Sequence, residues 1–271
     1  MTADSQGMRH RPADRRGIVL VLVLWTVGLL ALIGARLTGG SRTDLAIAAR
    51  LVEAAAVEAA ADGAVHEAIL RLADGGGLHW PADRVPRITE IGGVRVDVTI
   101  ENLAGRLNPN TAPAALMAAL LFRLGMPGER ALAQGAALQD WRMPGANAML
   151  GGRKQQIYRM AGLAYGPPGQ SFEQDDEIEA AAGMTPEVAA ALRPFLSIHN
   201  GGAIDPLHAA PALRQALEDT GINQLAAQTP AATVEILALA RAGAEARFIR
   251  RAIVRFTPGR PVQFLAWGRS E

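Results

Sequence analysis

The sequence predicts an α+β fold, in which one long N-terminal helix packs on a small antiparallel sheet and a large all-α domain is inserted. Three features of the 271-residue chain predict it. An uncharged apolar run near the N-terminus continues into a Pro-free amphipathic stretch, which is typical of one long helix. Alternating apolar and polar residues at 94–101 and near the C-terminus are typical of strands, and helical patterns fill the region between them.

Composition excludes several classes of protein. The 27 Lys and Arg nearly balance the 26 Asp and Glu, which excludes a strongly basic nucleic-acid binder. The chain has no Cys, which excludes disulfide scaffolds, zinc–thiolate sites and thiol catalysis. Its five His stand in no metal-binding spacing, and the sequence has neither a GxSxG motif nor a phosphate-binding loop. We therefore expect that the protein is not an enzyme.

The N-terminal region predicts a membrane helix. Residues 18–35 carry no charge, and about 17–25 apolar residues are needed to span a bilayer. Arg9, Arg11, Arg15 and Arg16 precede this run. By the positive-inside rule they place the N-terminus in the cytoplasm, so we expect the bulk of the chain on the far side of the membrane.

Three interpretations of this N-terminus remain open from its residues alone. The first is a secretory signal peptide, with weak cleavage candidates at Gly34-Ala35 and residues 39–41. The second is an uncleaved signal anchor. The third is a type IV pilin-like leader, which is cut between a basic segment ending in Gly and the apolar run, here between Gly17 and Ile18. A glycine at the cut lets a peptidase approach the backbone closely.

The stretch after the apolar run favours the third interpretation. Apolar residues such as Leu45, Val52 and Ile69 recur at helical spacing, and no Pro occurs before the glycines at 75–77, which end the helix. The predicted helix covers roughly 55 residues from Ile18, or about 80 Å at 1.5 Å per residue. A cleavable signal peptide requires no such continuation.

The sheet is predicted from two places. Val94, Val96, Val98 and Ile100 alternate with polar residues, and Gly92-Gly93 indicates a hairpin just before them. The C-terminal region predicts two more strands around residues 257–260, and all of these strands are expected to form one antiparallel sheet. Six helices are predicted between the two strand regions: Pro113–Leu124, Glu129–Trp141, Glu173–Ala182, Pro186–Phe195, Pro211–Thr220 and Thr233–Ala242.

The chain resembles a known family over most of its length. The residues that carry the resemblance are RRG-IVLVLVLW at 15–25, RTDLAIAARLVEAAAVEAAADGAVHEAILRL at 42–72, ENLAGRLNPNTAPAAL at 101–116, LQDWR at 138–142, AYGP at 164–167, SFEQDDEI at 171–178, GMTPEVAAALRPFLSI at 183–198 and the C-terminal strands. Together, in this order and spacing, they are similar to the minor pseudopilin K family of the type II secretion system.

The resemblance implies a division of the chain into four parts. Residues 1–17 would be a cytoplasmic prepilin-type leader, cut between Gly17 and Ile18, after which Ile18 is N-methylated. Residues 18–36 would be the transmembrane part of the N-terminal helix. Residues 37–103 plus 243–271 would form the pseudopilin α+β domain, and residues 104–242 the inserted helical domain.

One position suggests where the subunit stands in the filament. Counted from Ile18, Leu22 is the fifth residue, where most pilins and pseudopilins carry Glu. In a filament that Glu pairs with the terminal amine of a neighbouring subunit, and unpaired it would cost several kcal/mol in an apolar core. A tip subunit has no neighbour above it, so Leu22 fits the tip, as in the K family. From this position alone, Leu22 can equally be an ordinary transmembrane leucine.

The same resemblance implies assembly as the function. The chain would join the I and J minor pseudopilins at the pseudopilus tip, initiate growth of the major pseudopilin filament and support protein export across the outer membrane. The prepilin peptidase and the inner membrane are further expected partners, and nucleic acid is not. Small residues at Gly28, Ala31, Gly34 and Ala35 would let neighbouring helices approach. The alternatives are a single-pass, membrane-anchored periplasmic binding module with no filament role and, with less support, a periplasmic hydrolase.

The family also implies calcium in the helical insertion. The candidate ligands here are Glu173, Asp175 and Asp176, since carboxylate oxygens suit Ca²⁺. The family carries further acids between a Trp-Arg pair and a Tyr, and this chain has none between Trp141 and Tyr158. We therefore interpret residues 173–179 first as a solvated helix N-terminus, whose acids the helix dipole favours, and as a calcium site second.

Overall fold

The computed structural model describes residues 15–144, 154–201, 203–222, 232–243 and 246–270. The chain divides into two compact units, Met1–Ala55 and Ala56–Glu271, which are described separately here. Most of the predicted leader, residues 1–14, lies outside the described residues.

Helix α1 spans Arg15–Ala73, and its part up to Ala55 forms the first unit. Within it, Gly17–Ala35 is long and apolar enough to cross a membrane, with a mean hydropathy of 2.8. The helix ends just before the glycines at 75–77, as predicted, because glycine favours the chain reversal that stops a helix.

The second unit contains one five-stranded antiparallel sheet in which the strands stand in chain order. The strands are β1 (Arg87–Ile91), β2 (Val94–Asn102), β3 (Ala232–Ala242), β4 (Ala246–Phe256) and β5 (Gln263–Arg269). The predicted β1–β2 hairpin is confirmed: Gly92 and Gly93 take φ of 59° and 79°, which a tight two-residue hairpin turn requires. The two predicted C-terminal strands are β4 and β5.

The last turns of α1 pack on one face of this sheet. The buried face of the helix consists mainly of small side chains, which let the helix axis come close to the strands: Val57, Ala60, Ala61, Ala64, Val65 and Ala68. They meet a Val- and Ile-rich surface from β2, β3 and β4. The predicted α+β fold is therefore confirmed.

Between β2 and β3 lies a set of short helices, here called the helical block (residues 103–222). Its α-helices are α2 (Ala114–Arg123), α3 (Gly128–Arg142), α4 (Lys154–Met160), α5 (Pro186–Leu192) and α6 (Pro211–Thr220). It has its own apolar core, separate from that of the sheet, and Leu116, Leu120, Leu138, Ile178 and Leu213 are among its fully buried side chains.

One predicted helix is wrong. Thr233–Ala242 belongs to strand β3, the central strand of the sheet, so the part of the insertion that is helical does not extend to residue 242. Ala, Leu and Glu in this segment favour a helix locally. Burial on both sides of a central strand removes the apolar–polar alternation that would have indicated a strand, and the β-branched Thr233, Val234 and Ile236 were the remaining signal.

The helical block differs from prediction in two smaller ways. The predicted helix Glu173–Ala182 is a shorter 3-10 helix, Asp175–Ala180. Helix α4 was not predicted, because seven residues are too few for a helical period to be read from sequence.

Candidate assembly site

The first unit presents an apolar helix surface. Every large apolar side chain from Ile18 to Ile33 is exposed, by between 47% and 75% of its surface. The stretch from Ile18 to Ala35 has no charged residue. Apolar area of this extent is unfavourable in water, so lipid or the helices of other proteins must cover it.

The predicted processing and tip positions all lie on this part of α1. Gly17 and Ile18 are in its first turn and Leu22 is one turn further, with 62% of its surface exposed. Among the described residues, a Cβ added at Gly17 would meet no atom within 4 Å, so packing against this part of the chain does not explain glycine at this position.

The glycines among the small residues predicted to contact other helices also have space around them, as Gly17 does. A Cβ added at Gly28 or Gly34 would meet no atom within 4 Å. Gly28, Ala31 and Ala35 follow the i, i+3, i+7 spacing of one helix face, with Gly34 beside them. The chain therefore offers a narrow strip on which another helix backbone can approach closely.

The acidic run of the helical block forms ion pairs and backbone contacts. Asp175 accepts a hydrogen bond from the backbone N–H of Ile198 at 2.8 Å and lies 3.8 Å from the guanidinium of Arg251. Asp176 and Glu179 both pair with Arg193, at 2.8 and 2.5 Å.

These contacts bear on the calcium prediction. Of the three candidate ligands, Asp175 and Asp176 already face guanidinium groups, and a Ca²⁺ ion would have to compete with Arg193 for Asp176. Within the described ranges, no three His, Cys, Asp or Glu side chains come together in a way that would hold a metal ion. Calcium binding at Glu173, Asp175 and Asp176 stays a prediction.

Within the helical block, a short stretch of backbone pairing, here called the junction, joins residues 106–108 to residues 195–200. The Leu107 N–H donates to the Phe195 carbonyl at 2.8 Å, and the Ser197 N–H donates to the Leu107 carbonyl at 3.0 Å. The buried Asn108 amide donates to the Asn200 carbonyl at 2.6 Å. Chain entering the block from β2 is thus fastened to chain much later in the block.

A charged cluster lies where β2 and β3 meet the junction. Glu101 and Glu235 are direct neighbours across these two strands, and Arg106 donates to both, at 2.7–2.8 Å. Arg84 adds a bond to Glu101 at 2.6 Å, and Arg251 pairs with Glu235. Burial alone would raise the pKa of Glu101, but the hydrogen bonds and charges of Arg106 and Arg84 outweigh it and lower that pKa.

A second arginine fastens α1 to the sheet. Arg250 of β4 donates to Asp62 at 2.5 Å and to Glu58 at 2.8 Å, and both acids belong to α1. Its guanidinium carbon lies 4.8 Å from the ring centroid of Phe248 and 5.0 Å from that of Trp267. The Arg250 side chain is only 9% exposed, so its positive charge is balanced by Glu58 and Asp62 and is largely shielded from solvent.

Lys154, the only lysine of the chain, is also internal. Its ammonium donates to the backbone carbonyls of Asp140 and Met143, both at 2.5 Å, and the residue is 8% exposed. These carbonyls are at the C-terminal end of α3, where helix carbonyls lack partners within the helix and favour a positive charge.

Sequence reasoning missed the internal roles of Arg106, Arg250 and Lys154. In the sequence, Glu58 and Asp62 are two acids one helical turn apart, and a pair at this spacing can hold one guanidinium group, but the sequence does not say which arginine they meet. No local pattern around Lys154 indicates that its ammonium reaches the carbonyls of Asp140 and Met143, which precede it by 14 and 11 residues.

Comparison with known proteins gives one family and one fold. Residues 98–201 match the family model for protein K of the type II secretion system. The fold is similar to a chain in the crystal structure of the GspK-GspI-GspJ complex from the type 2 secretion system of enterotoxigenic Escherichia coli, with a TM-score of 0.60 and 15% identity. That similarity covers 85% of this chain and 99% of the other. No curated protein matches the sequence significantly.

Proposed function

Because residues 98–201 match the family model for protein K of the type II secretion system, we propose that the chain is a minor pseudopilin of this family and acts at the tip of the pseudopilus. There it initiates assembly of the filament and supports export of proteins across the outer membrane. Its work is to bind other subunits, and no catalytic step is required of it.

The observation that carries this proposal is the uncharged, exposed surface of α1 with Leu22 as the fifth residue after Gly17. A subunit inside a filament has a neighbour whose terminal amine can pair with a carboxylate at this position. A tip subunit has none, and a buried carboxylate without a partner is costly. Leucine at position 22 removes that cost and keeps the surface apolar for lipid and for neighbouring helices.

Assembly requires that the leader is removed first. We propose that a prepilin peptidase cuts between Gly17 and Ile18 and that Ile18 is then N-methylated. The position after Arg15-Arg16 and before the apolar run supports this cut, and so does the open space that the described residues leave around Gly17. The globular part would lie in the periplasm and the apolar part of α1 in the inner membrane.

Co-expression with a prepilin peptidase tests this proposal. We expect intact-mass measurement to show loss of residues 1–17 and a methyl group on the new N-terminus. Gly17→Leu should block the cut, because a side chain at this position obstructs the peptidase. Gly28→Leu, inside the apolar run, is the matched control and should be cut normally.

Two results would contradict it. An N-terminus that the peptidase leaves unchanged would favour the membrane-anchored binding module. Cleavage after Gly40 instead would indicate a secretory signal peptide.

We propose the I and J minor pseudopilins as the direct partners. The structurally similar E. coli chain comes from a GspK-GspI-GspJ complex, and the open strip at Gly28, Ala31, Gly34 and Ala35 supports contact with partner helices. The major pseudopilin filament would bind below this complex. We also propose that the helical block works as a cap, since its bulk would hinder addition of a further subunit above it.

A further inference from the structure

The C-terminal end of α3 receives a positive charge from α4. The carbonyls in the last turn of a helix need donors from outside that helix. The Asp140 carbonyl would ordinarily accept from the N–H four residues later, but that residue is Pro144, which has no N–H. The Lys154 ammonium donates to this carbonyl and to that of Met143, both at 2.5 Å. One side chain of α4 therefore supplies donors to the end of α3.

This ammonium lies inside the protein. Lys154 is 8% exposed, although lysine is rarely buried without a partner. Tyr158, one turn later on the same face of α4, is buried as well and lies near Trp141 of α3, with 6.4 Å between the ring centroids. Trp141 in turn stacks on Phe172, with 5.7 Å between the centroids. The ammonium and these aromatic rings together fasten α4 to the end of α3.

A second internal cation at this end of α3 has the same kind of partner. The guanidinium of Arg142 donates to the carbonyls of Pro109 and Ala112, at 2.9 and 2.5 Å. Burial lowers the pKa of Arg142. Both cations thus bind neutral backbone oxygens, and carbonyl oxygens are also ligands that a hard metal ion accepts.

A calcium ion, which the resemblance to the protein K family implies for the helical block, does not fit at this place. Ca²⁺ takes about six to eight oxygen ligands, carboxylates among them. Residues 142–157 include no Asp or Glu, so this stretch of chain supplies no carboxylate. An ion on the carbonyls of Asp140 and Met143 would also meet the Lys154 ammonium, which is a like charge. The ammonium and a metal ion therefore exclude each other here.

We propose that the Lys154 ammonium is a built-in cation of the helical block, which takes the place of a divalent metal ion at the end of α3 and holds α4 there. Because this cation is covalently attached, the contact between α3 and α4 does not depend on the concentration of metal ions around the protein. The inference goes beyond the proposed function and holds whether or not the chain acts at the tip. It concerns this place alone, and the calcium prediction at Glu173, Asp175 and Asp176 is a separate question.

Thermal unfolding of the full-length chain in detergent, followed by circular dichroism in the presence of a chelator, tests the proposal. Lys154→Met keeps an apolar stem but removes the charge and the donors, and Pro144 cannot replace the bond to the Asp140 carbonyl. We expect the unfolding temperature to fall by about 5 °C or more. Arg159→Met, at an exposed position of the same helix, is the matched control and should shift it by less than about 2 °C.

Lys154→Glu tests the exchange of ammonium for metal. The shorter side chain would add a carboxylate to the two carbonyls and leave room for an ion where the ammonium was. With chelator we expect this variant to unfold at a lower temperature than Lys154→Met, because only oxygens then face one another. Calcium at about 5 mM should restore at least half of the loss, since an ion that binds the folded state stabilises it. The wild type in the same two buffers gives the baseline, because calcium bound elsewhere would shift both proteins equally.

Two results would overturn the proposal. If Lys154→Met unfolds at the wild-type temperature, the ammonium does not hold the end of α3. If calcium shifts the unfolding of Lys154→Glu no further than that of the wild type, this place does not accept a metal ion and the ammonium does not stand in for one. A Lys154→Glu chain that stays unfolded at every calcium concentration counts as this second result. Cleavage by the prepilin peptidase, which tests the proposed function, is independent of both.

Discussion

Arg106 is the residue on which the charged cluster depends. The register of β2 and β3 sets Glu101 opposite Glu235, an arrangement that alone would be repulsive. Arg106 reaches both carboxylates, and its own side chain is only 14% exposed. The two carboxylates are thus balanced by Arg106 together with two neighbouring guanidinium groups, those of Arg84 and Arg251.

Arg106→Met should be strongly destabilising. It keeps the length of the side chain but leaves two partly buried carboxylates facing each other, so we expect the free energy of unfolding to fall by about 3–5 kcal/mol. Urea unfolding of the chain in detergent measures it. Arg84→Met is the control: Arg84 pairs with Glu101 but is 43% exposed, and should cost at most about 1 kcal/mol.

The stability that Arg106→Met loses relative to the wild type should be smaller in acid than at neutral pH. The folded-state pKa of Glu101 is lowered below its ordinary 4.5, so its stabilising effect is present above that value and is lost as the pH falls through the lowered pKa. Without Arg106 the pKa of Glu101 is lowered less, so the free energy of unfolding of the variant falls less as the pH falls. Unfolding curves at neutral pH and near pH 3 measure this. Parallel curves for the two proteins would contradict the assigned cause.

At the scale of elements, α2 and α3 are held together by a close contact at Gly135. A Cβ at this position would lie 2.5 Å from the Ala114 carbonyl oxygen and 3.1 Å from the Ala118 Cβ. Such distances are well inside van der Waals contact. The glycine in the middle of α3 therefore serves packing, at a cost in helix propensity of about 1 kcal/mol relative to alanine.

Gly135→Ala should destabilise the helical block despite the better propensity of alanine. We expect a loss of about 1–3 kcal/mol, because the two helices must move apart. Gly128→Ala in the same helix is the matched control: a Cβ there meets nothing within 4 Å, so stability should stay equal or rise slightly. Thermal unfolding followed by circular dichroism compares the two. A stabilised Gly135→Ala would show that the helices are not in close contact.

Some elements could be predicted from the sequence and others could not. Strand β2 could be predicted because one of its faces is more exposed than the other. The processing position and the interpretation of Leu22 rest on one continuous segment of sequence, and they stay predictions. The sequence of β3 predicts a helix, wrongly, because its Ala, Leu and Glu residues favour helices and apolar side chains lie on both of its faces. The pairing of Arg106 with Glu235 joins positions 129 residues apart, and no local pattern contains that information.

At the scale of the whole molecule, the two units differ in whether their apolar side chains are buried. The second unit buries apolar side chains in two cores, one under the sheet and one in the helical block. The first unit leaves its apolar side chains open from Ile18 to Ile33. The first unit therefore depends on membrane lipid or on other subunits, and a change in it should act on assembly and leave folding of the second unit intact.

Leu22→Glu tests this expectation. A carboxylate without a partner in an apolar environment costs about 2–3 kcal/mol, so we expect at least about tenfold less of a secreted substrate in the medium of a strain that relies on the variant. Leu22→Ile is the control and should secrete normally. Normal secretion by Leu22→Glu would count against the tip-specific interpretation of this position.

The internal position of Lys154 has a practical consequence for anyone who studies this assembly. Reagents that attack primary amines, including most fluorescent labels and cross-linkers, would find no accessible side chain on the folded protein, because its single ammonium is buried against two carbonyls. The terminal amine becomes the natural handle for site-specific attachment. Contacts with neighbouring subunits are better mapped with carboxyl- or guanidinium-directed chemistry.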